Sequence, residues 1–233
     1  MLLDRPNAVR FRPLSRLKQS IVTGGRAPRR IQSGLLRGMV LELDLASETQ
    51  VYLGLYERET FAFIRRWAPR CAWMIDVGAA TGELAIYFAQ QAKCRDVHAF
   101  EPRAEALRQF RRNLALNAVG AARLVIHDRF MGTDSGSLRL DEVPVPAGAP
   151  GFIKIDVDGF ETDVLDSGLA LLANGPRHVL IEVHSLQLEQ DCIARLEGLG
   201  FAVEVIDNAW WRRFVPEHRP IEHNRWIGAT RAA

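Results

Sequence analysis

Three features of the sequence predict an α/β fold built on a doubly wound, mostly parallel sheet. From Trp73 onward, short apolar runs alternate with amphipathic stretches at the spacing of βαβ units. The first of these runs, Trp73–Val77, leads into a turn bounded by Gly78 and Gly82 that opens a helix. The second ends on an acid, Glu101, 23 residues after Gly78. In open α/β sheets ligands bind beyond the carboxyl ends of the strands, which is where these residues fall.

The chain has 233 residues, 48% of them hydrophobic and 25% charged, enough for one sizeable core. Its three cysteines, Cys71, Cys94 and Cys192, are too few and too scattered for a disulfide framework or a zinc site. A reducing, cytoplasmic compartment is expected on that ground. No apolar run approaches the roughly 18 residues of a membrane span, and no signal-peptide core is evident at the N-terminus. The net charge of +2 hides an asymmetry: residues 1–40 carry nine Arg/Lys against Asp4 alone, and the rest carries 21 basic and 27 acidic residues. Only Lys18, Lys93 and Lys154 are lysines, so a lysine inside a motif stands out.

Residues 1–34, with Pro6, Pro13, Pro28 and the Gly24-Gly25 pair, read as a basic, loosely structured arm. The domain proper is expected at 35–233, with a lead-in at 35–69: a strand within 39–45 and a helix bearing Phe61, Ile64 and Ala68 that Pro69 ends. Strand Trp73–Val77 precedes helix Gly82–Ala92; strand Val97–Phe100 precedes helix Ala104–Asn117, whose Leu107, Phe110 and Leu114 share one stripe. Strand Leu124–Ile126 follows, then a small strand at Ser137–Leu140, strand Phe152–Ile155 and a helix over about 160–172. Strand Val179–Val183, a helix carrying Cys192, Leu196 and Leu199 that Gly200 closes, and strands Ala202–Ile206 and Trp226–Ala229 complete the order.

A dinucleotide site requires Gly-x-Gly-x-x-Gly, but here Ala80 stands between Gly78 and Gly82. Asp76, two residues before Gly78, suits the ammonium of an amino-acid ligand and would repel a phosphate, while Glu101 can accept from both hydroxyls of a ribose. Asp76 through Gly82 resembles motif I of S-adenosylmethionine (AdoMet)-dependent methyltransferases. The element Gly151-Phe-Ile-Lys-Ile-Asp-Val-Asp-Gly-Phe-Glu161, followed by Val164-Leu165 and Gly168, resembles the signature of the FkbM-type methyltransferases. Tyr56-Glu57, Phe100-Glu-Pro102, Asn113-Leu-Ala-Leu-Asn117 and Ile181-Glu-Val-His184 match it in the same order over about residues 50–230. That pattern commonly has Asn-Ile where Ala80-Thr81 stand, and a small residue at Phe130.

The resemblance implies a Rossmann-like, seven-stranded sheet of the class I methyltransferase type with a terminal antiparallel hairpin. It also implies AdoMet as cofactor and O-methylation of a hydroxyl on a small molecule, sugar or other secondary metabolite. Asp76, Gly78, Ala79, Gly82 and Glu101 are the expected cofactor residues. Asp128 is expected at the adenine amino group and Glu57 at the cofactor's amino-acid end.

Alternation puts Lys154 and Asp156 on one face of their strand and Glu182 and His184 on one face of the next, so four catalytic candidates converge. His184 titrates near neutrality and is the expected base. Asp156 would orient His184 or the substrate hydroxyl. Lys154 would hold a substrate oxygen or form a buried ion pair with Asp156 or Glu182. Asp158 and Glu161 lie in the same element, and Asp156, Asp158, Glu182 and His184 could hold Mg²⁺, although the reading favours no metal. Trp210-Trp211-Arg212-Arg213 would line a substrate mouth or cap the sheet edge. A small-molecule or carbohydrate acceptor is expected and nucleic acid is disfavoured. A methyltransferase acting on RNA or protein, and an inactive module of the same fold, stay open as alternatives.

Overall fold

The computed structural model describes residues 25–119, 122–175, 177–208 and 223–232. The first strands, β1 (Arg26–Arg30) and β2 (Val40–Asp44), form an antiparallel pair. Helices α1 (Thr49–Leu53) and α2 (Phe61–Trp67) follow, separated by a 3-10 turn at Arg58–Thr60. Then come β3 (Trp73–Val77), α3 (Glu83–Ala89), β4 (Asp96–Phe100), α4 (Ala104–Ala115), β5 (Arg123–His127) and β6 (Gly151–Ile155). The rest is α5 (Glu161–Asp166), α6 (Leu169–Ala173), β7 (Arg177–Val183), α7 (Leu186–Gly198), β8 (Ala202–Ile206) and β9 (Arg225–Arg231).

Seven of these strands form one sheet in the order β5-β4-β3-β6-β7-β9-β8. Its first five members run parallel, and β9 lies antiparallel between β7 and β8. This is the expected Rossmann-like α/β sheet with a terminal antiparallel hairpin. Every residue of β3, β6 and β7 is buried, because helices cover both faces of the parallel part. The pleat sends Met74, Phe152 and Leu180 to a core shared with α2, α3 and the β1–β2 pair, and Trp73, Ile75, Ile153 and Ile181 to a core shared with α5 and α7. Trp73 sits in register with Gly151, where a Cβ would collide with the indole.

The β1–β2 pair is fastened to α4 by amides that stand in for a neighbouring strand. Asn113 Oδ1 accepts from Glu42 N–H at 2.9 Å, and Asn117 Oδ1 accepts from Val40 N–H at 3.0 Å. Asn117 Nδ2 donates back to the Val40 carbonyl at 2.7 Å, and Gln109 donates to that of Glu42 at 3.0 Å. Asn113 Nδ2 also donates to the Thr81 carbonyl at 2.9 Å, so one residue ties the lead-in to the turn after β3.

The structure corrects three sequence expectations. The arm was bounded at residue 34, yet Arg26–Arg30 already pairs with β2, and Ile31 beside it is buried; the lead-in therefore begins nine residues earlier than periodicity suggested. Residues 1–24 lie outside the described residues. The small strand at Ser137–Leu140 is a single bridge, Met131 to Leu138, followed by a 3-10 turn whose Asp141 accepts from the Ala170 and Leu171 N–H groups that open α6. The helix over 160–172 is two helices. Ser167 turns its hydroxyl onto the Val164 carbonyl, and Gly168 packs so closely on Leu140 that no side chain fits there.

Candidate active site

The turn after β3 is set by internal packing. Gly78, Ala80 and Gly82 have φ of 77°, 46° and 86°. A Cβ on Gly78 would run into the carbonyl of Asp156, and one on Gly82 into the ring of Phe110. The missing side chains of both glycines make room for β6 and α4. Ala79 is buried, with its N–H on the Phe100 carbonyl and its own carbonyl accepting from Gly82 N–H.

Glu101 ends β4 beside this turn and is 2% exposed. Its Oε2 accepts from Ala80 N–H at 3.0 Å, and Oε1 accepts from Arg103 N–H at 2.9 Å and Arg103 Nε at 2.8 Å. Burial pushes its pKa up, but the bonds to Arg103 and Ala80 outweigh it and hold the carboxyl below its ordinary value. Asp128 follows β5 on the same rim and is exposed. The His127 ring one residue earlier stacks on Phe100 at 4.2 Å.

The second group lies on the α3 side of the sheet, at the carboxyl ends of β3, β6 and β7. Asp76 and Lys154 are register partners, and Lys154 Nζ lies 3.0 Å from Asp156 Oδ2, 3.1 Å from the Gly78 carbonyl and 3.8 Å from Asp76 Oδ1. Burial opposes the charge on Lys154, but the fields of Asp156, Asp76 and Glu57 prevail and keep the ammonium protonated. Lys154 is therefore a buried ion-pair centre engaged with Asp156 and Asp76, not a free donor for a substrate oxygen and not chiefly a partner of Glu182. Asp76, raised to about 6 first by its burial, faces that ammonium.

Glu57 reaches the same group from a strap that crosses it. Its φ of 49° is left-handed, and the N–H and hydroxyl of Thr60 hold its carbonyl at 3.0 and 2.8 Å. Burial raises its pKa to about 7 against the opposing field of Lys154. Tyr56 beside it is pushed well up, first by Glu57.

Asp156 and Glu182 face each other across β6 and β7. Two buried carboxylates this close hold one proton between them; it stays on Glu182, raised by burial and by Asp156, because Lys154 keeps Asp156 ionised. One ligand atom from each of Asp156, Glu182 and His184 lies within 4.8 Å of the others. Of the two roles expected of Asp156, orienting His184 or the substrate hydroxyl, the first falls to Glu161. Nδ1 of His184 lies 2.6 Å from Oε1 of the fully buried Glu161, and its Nε2 lies 3.5 Å from Asp158 Oδ1. The Glu161 bond is the main cause raising the basicity of the imidazole.

The four catalytic candidates are thus brought together, with Asp76 and Glu57 against them and Glu101 across the turn. Trp210–Arg213 lies outside the described residues. Glu161 was among the sequence candidates, but its pairing with His184 needs the α5–β7 packing. One participant escaped sequence reasoning. Glu83, raised by burial and holding the Thr81 hydroxyl at 2.5 Å, carried no signal beyond its place after Gly82.

The Rossmann-like α/β fold with its terminal antiparallel hairpin is shared with solved structures. The chain is similar to the TYW2 protein of M. jannaschii in complex with AdoMet, at 16% identity over 89% of this chain and 86% of that one, with a TM-score of 0.53. It is similar to P. horikoshii TYW2 in complex with MeSAdo at 14% identity over 89% and 71%, TM-score 0.51. Escherichia coli yhhF is similar at 14% identity over 89% and 99%, TM-score 0.51. No protein-family model matches the sequence, and no curated protein matches it. Among the described residues no helix is long and apolar enough to cross a membrane.

Proposed function

We propose that the protein is an AdoMet-dependent methyltransferase acting on a hydroxyl of a small molecule or carbohydrate. The observation that carries this reading is Glu101, a buried, ionised carboxylate fixed at the mouth of the Gly78–Gly82 turn, where a ribose would present two hydroxyls. The surrounding acids suit a cationic sulfonium and repel a pyrophosphate. They equally disfavour an acceptor carrying phosphates. The neighbouring structures bound to AdoMet or MeSAdo share this fold and so support the cofactor. The hydroxyl acceptor rests on the FkbM-like motifs and on the polar cluster around His184.

The reaction is an in-line displacement. The acceptor oxygen attacks the methyl carbon, the carbon–sulfur bond breaks, and sulfur leaves as a neutral thioether. Holding the reactants collinear supplies much of the acceleration. The hydroxyl proton goes to Nε2 of His184, whose Nδ1–H is held by Glu161. Glu57, Asp76 and Lys154 line the cofactor's amino-acid end. Incubation with methyl-labelled AdoMet and a panel of sugars and polyketide-type alcohols tests the proposal. Label in a new ether is the expected result. Label appearing in RNA or protein instead, or in no acceptor, would overturn the acceptor class.

A further inference from the structure

We propose that Asp156, Glu182 and His184 bind one divalent transition-metal cation of the Mn²⁺ type. Two carboxylates and an imidazole, each giving one atom within 4.8 Å of the others, form a facing ligand set. The imidazole favours Mn²⁺, Fe²⁺ or Zn²⁺ over Mg²⁺, which prefers oxygen and water. Donors around a cation with bonds of about 2.1 Å are about 3.0–4.2 Å apart, close to the spacing within which these three atoms lie.

Beyond the cluster itself, two buried atoms point to a missing partner. Glu182 is 5% exposed and the His184 side chain 9%, yet among the described residues Glu182 Oε2 has no hydrogen-bond partner and His184 Nε2 has none either, with only the Asp158 carboxylate 3.5 Å away. Buried polar atoms in that state are rare, and one cation answers both. Glu161 on Nδ1 fixes the tautomer that leaves the Nε2 lone pair free, the carboxylate–histidine arrangement found behind metal ligands. Lys154 takes Asp156 Oδ2, and the cation takes the place of the proton that Asp156 and Glu182 share. Glu57, Asp76, Asp158 and Glu161 surround the set against the single ammonium of Lys154, so the field there favours a cation.

The inference shares residues with the methyl-transfer reading, whose proton transfer to His184 then describes the metal-free pocket. With the cation bound, His184 would be a ligand and would no longer be the base. Binding of the metal does not depend on AdoMet, which keeps the two readings separable.

The test is titration of the full chain, stripped with chelator and dialysed, with MnCl₂ alone under electron paramagnetic resonance. We expect one Mn²⁺ per chain, with echo-envelope modulation from a coordinated imidazole nitrogen. Affinity should fall at least about tenfold in Glu182→Gln and in His184→Ala, and saturable binding should vanish in the double variant. AdoMet affinity and circular dichroism of each variant separate loss of the site from loss of the fold. If a variant does not fold, the nitrogen modulation on the unaltered chain decides. Its absence, or equal Mn²⁺ binding by the folded double variant, overturns the proposal even where AdoMet still binds.

Discussion

Oε1 of Glu161 lies 2.6 Å from Nδ1 of His184, and Glu161 has no exposed surface. A buried carboxylate on one ring nitrogen fixes the tautomer and strengthens the other nitrogen as an acceptor. Asp156, whose position in sequence suggested that role, is instead engaged by Lys154 and Glu182.

Glu161→Gln keeps the shape of this contact and removes its charge. His184 should return toward its ordinary value, since the bond to Glu161 is the main cause of its rise. In the metal-free enzyme the acidic limb of the rate profile then moves to lower pH, and kcat falls about tenfold or more while AdoMet affinity holds. A pH–rate profile of wild type and variant checks this; superimposable limbs would remove Glu161 from the mechanism.

Lys154→Met strands the carboxylates of Asp156 and Asp76 without their ammonium in a buried setting. A loss of about 3–5 kcal/mol is expected, because breaking one side of a buried pair leaves an uncompensated charge. Urea denaturation at pH 7 measures it. Stability equal to wild type would mean the ammonium is not what holds these strand ends together.

Gly82→Ala meets both a left-handed φ of 86° and the ring of Phe110. The expected cost is about 1–3 kcal/mol, accompanied by weaker AdoMet binding as the turn shifts. Gly136→Ala, with no atom within 4 Å of its new methyl, is the control and should be near neutral. Equal thermal midpoints for the two variants would contradict the packing account of the turn.

His178 stacks on Trp67 at 3.9 Å and is held at about 4, first by burial and then by Arg70 and Arg66. The unfolded chain, with an ordinary histidine near about 6.5, binds the extra proton first as the pH falls. This contribution to stability is complete above about pH 6.5 and is lost progressively down to about pH 4, by about 1–3 kcal/mol. Denaturation at pH 7 and pH 5 should show the loss, and His178→Phe should reduce it. The same pH dependence in both proteins would refute it.

Much of the fold was legible in the sequence because its signals are local. The βαβ alternation and the closure at Gly200 each depend on a few neighbouring residues. The β1–β2 pair was partly missed because it is held by Asn113 and Asn117 about 70 residues away, and periodicity says nothing of that. In the site, alternation along β6 and β7 correctly grouped Lys154, Asp156, Glu182 and His184. It could not say who pairs with whom, since the choice between Asp156 and Glu161 as partner of His184 depends on how α5 packs. Gly78 and Gly82 show the same limit: residue type foretold the turn but not that Asp156 and Phe110 fill the space beside it.

The central claim is an AdoMet site organised around Glu101, and calorimetric titration of wild type and Glu101→Ala with AdoMet tests it most directly. The account predicts saturable one-to-one binding by the wild type, weakened about 10- to 100-fold by loss of the carboxylate's bonds to the ribose. No binding by the wild type, or equal affinity in the two proteins, would contradict it.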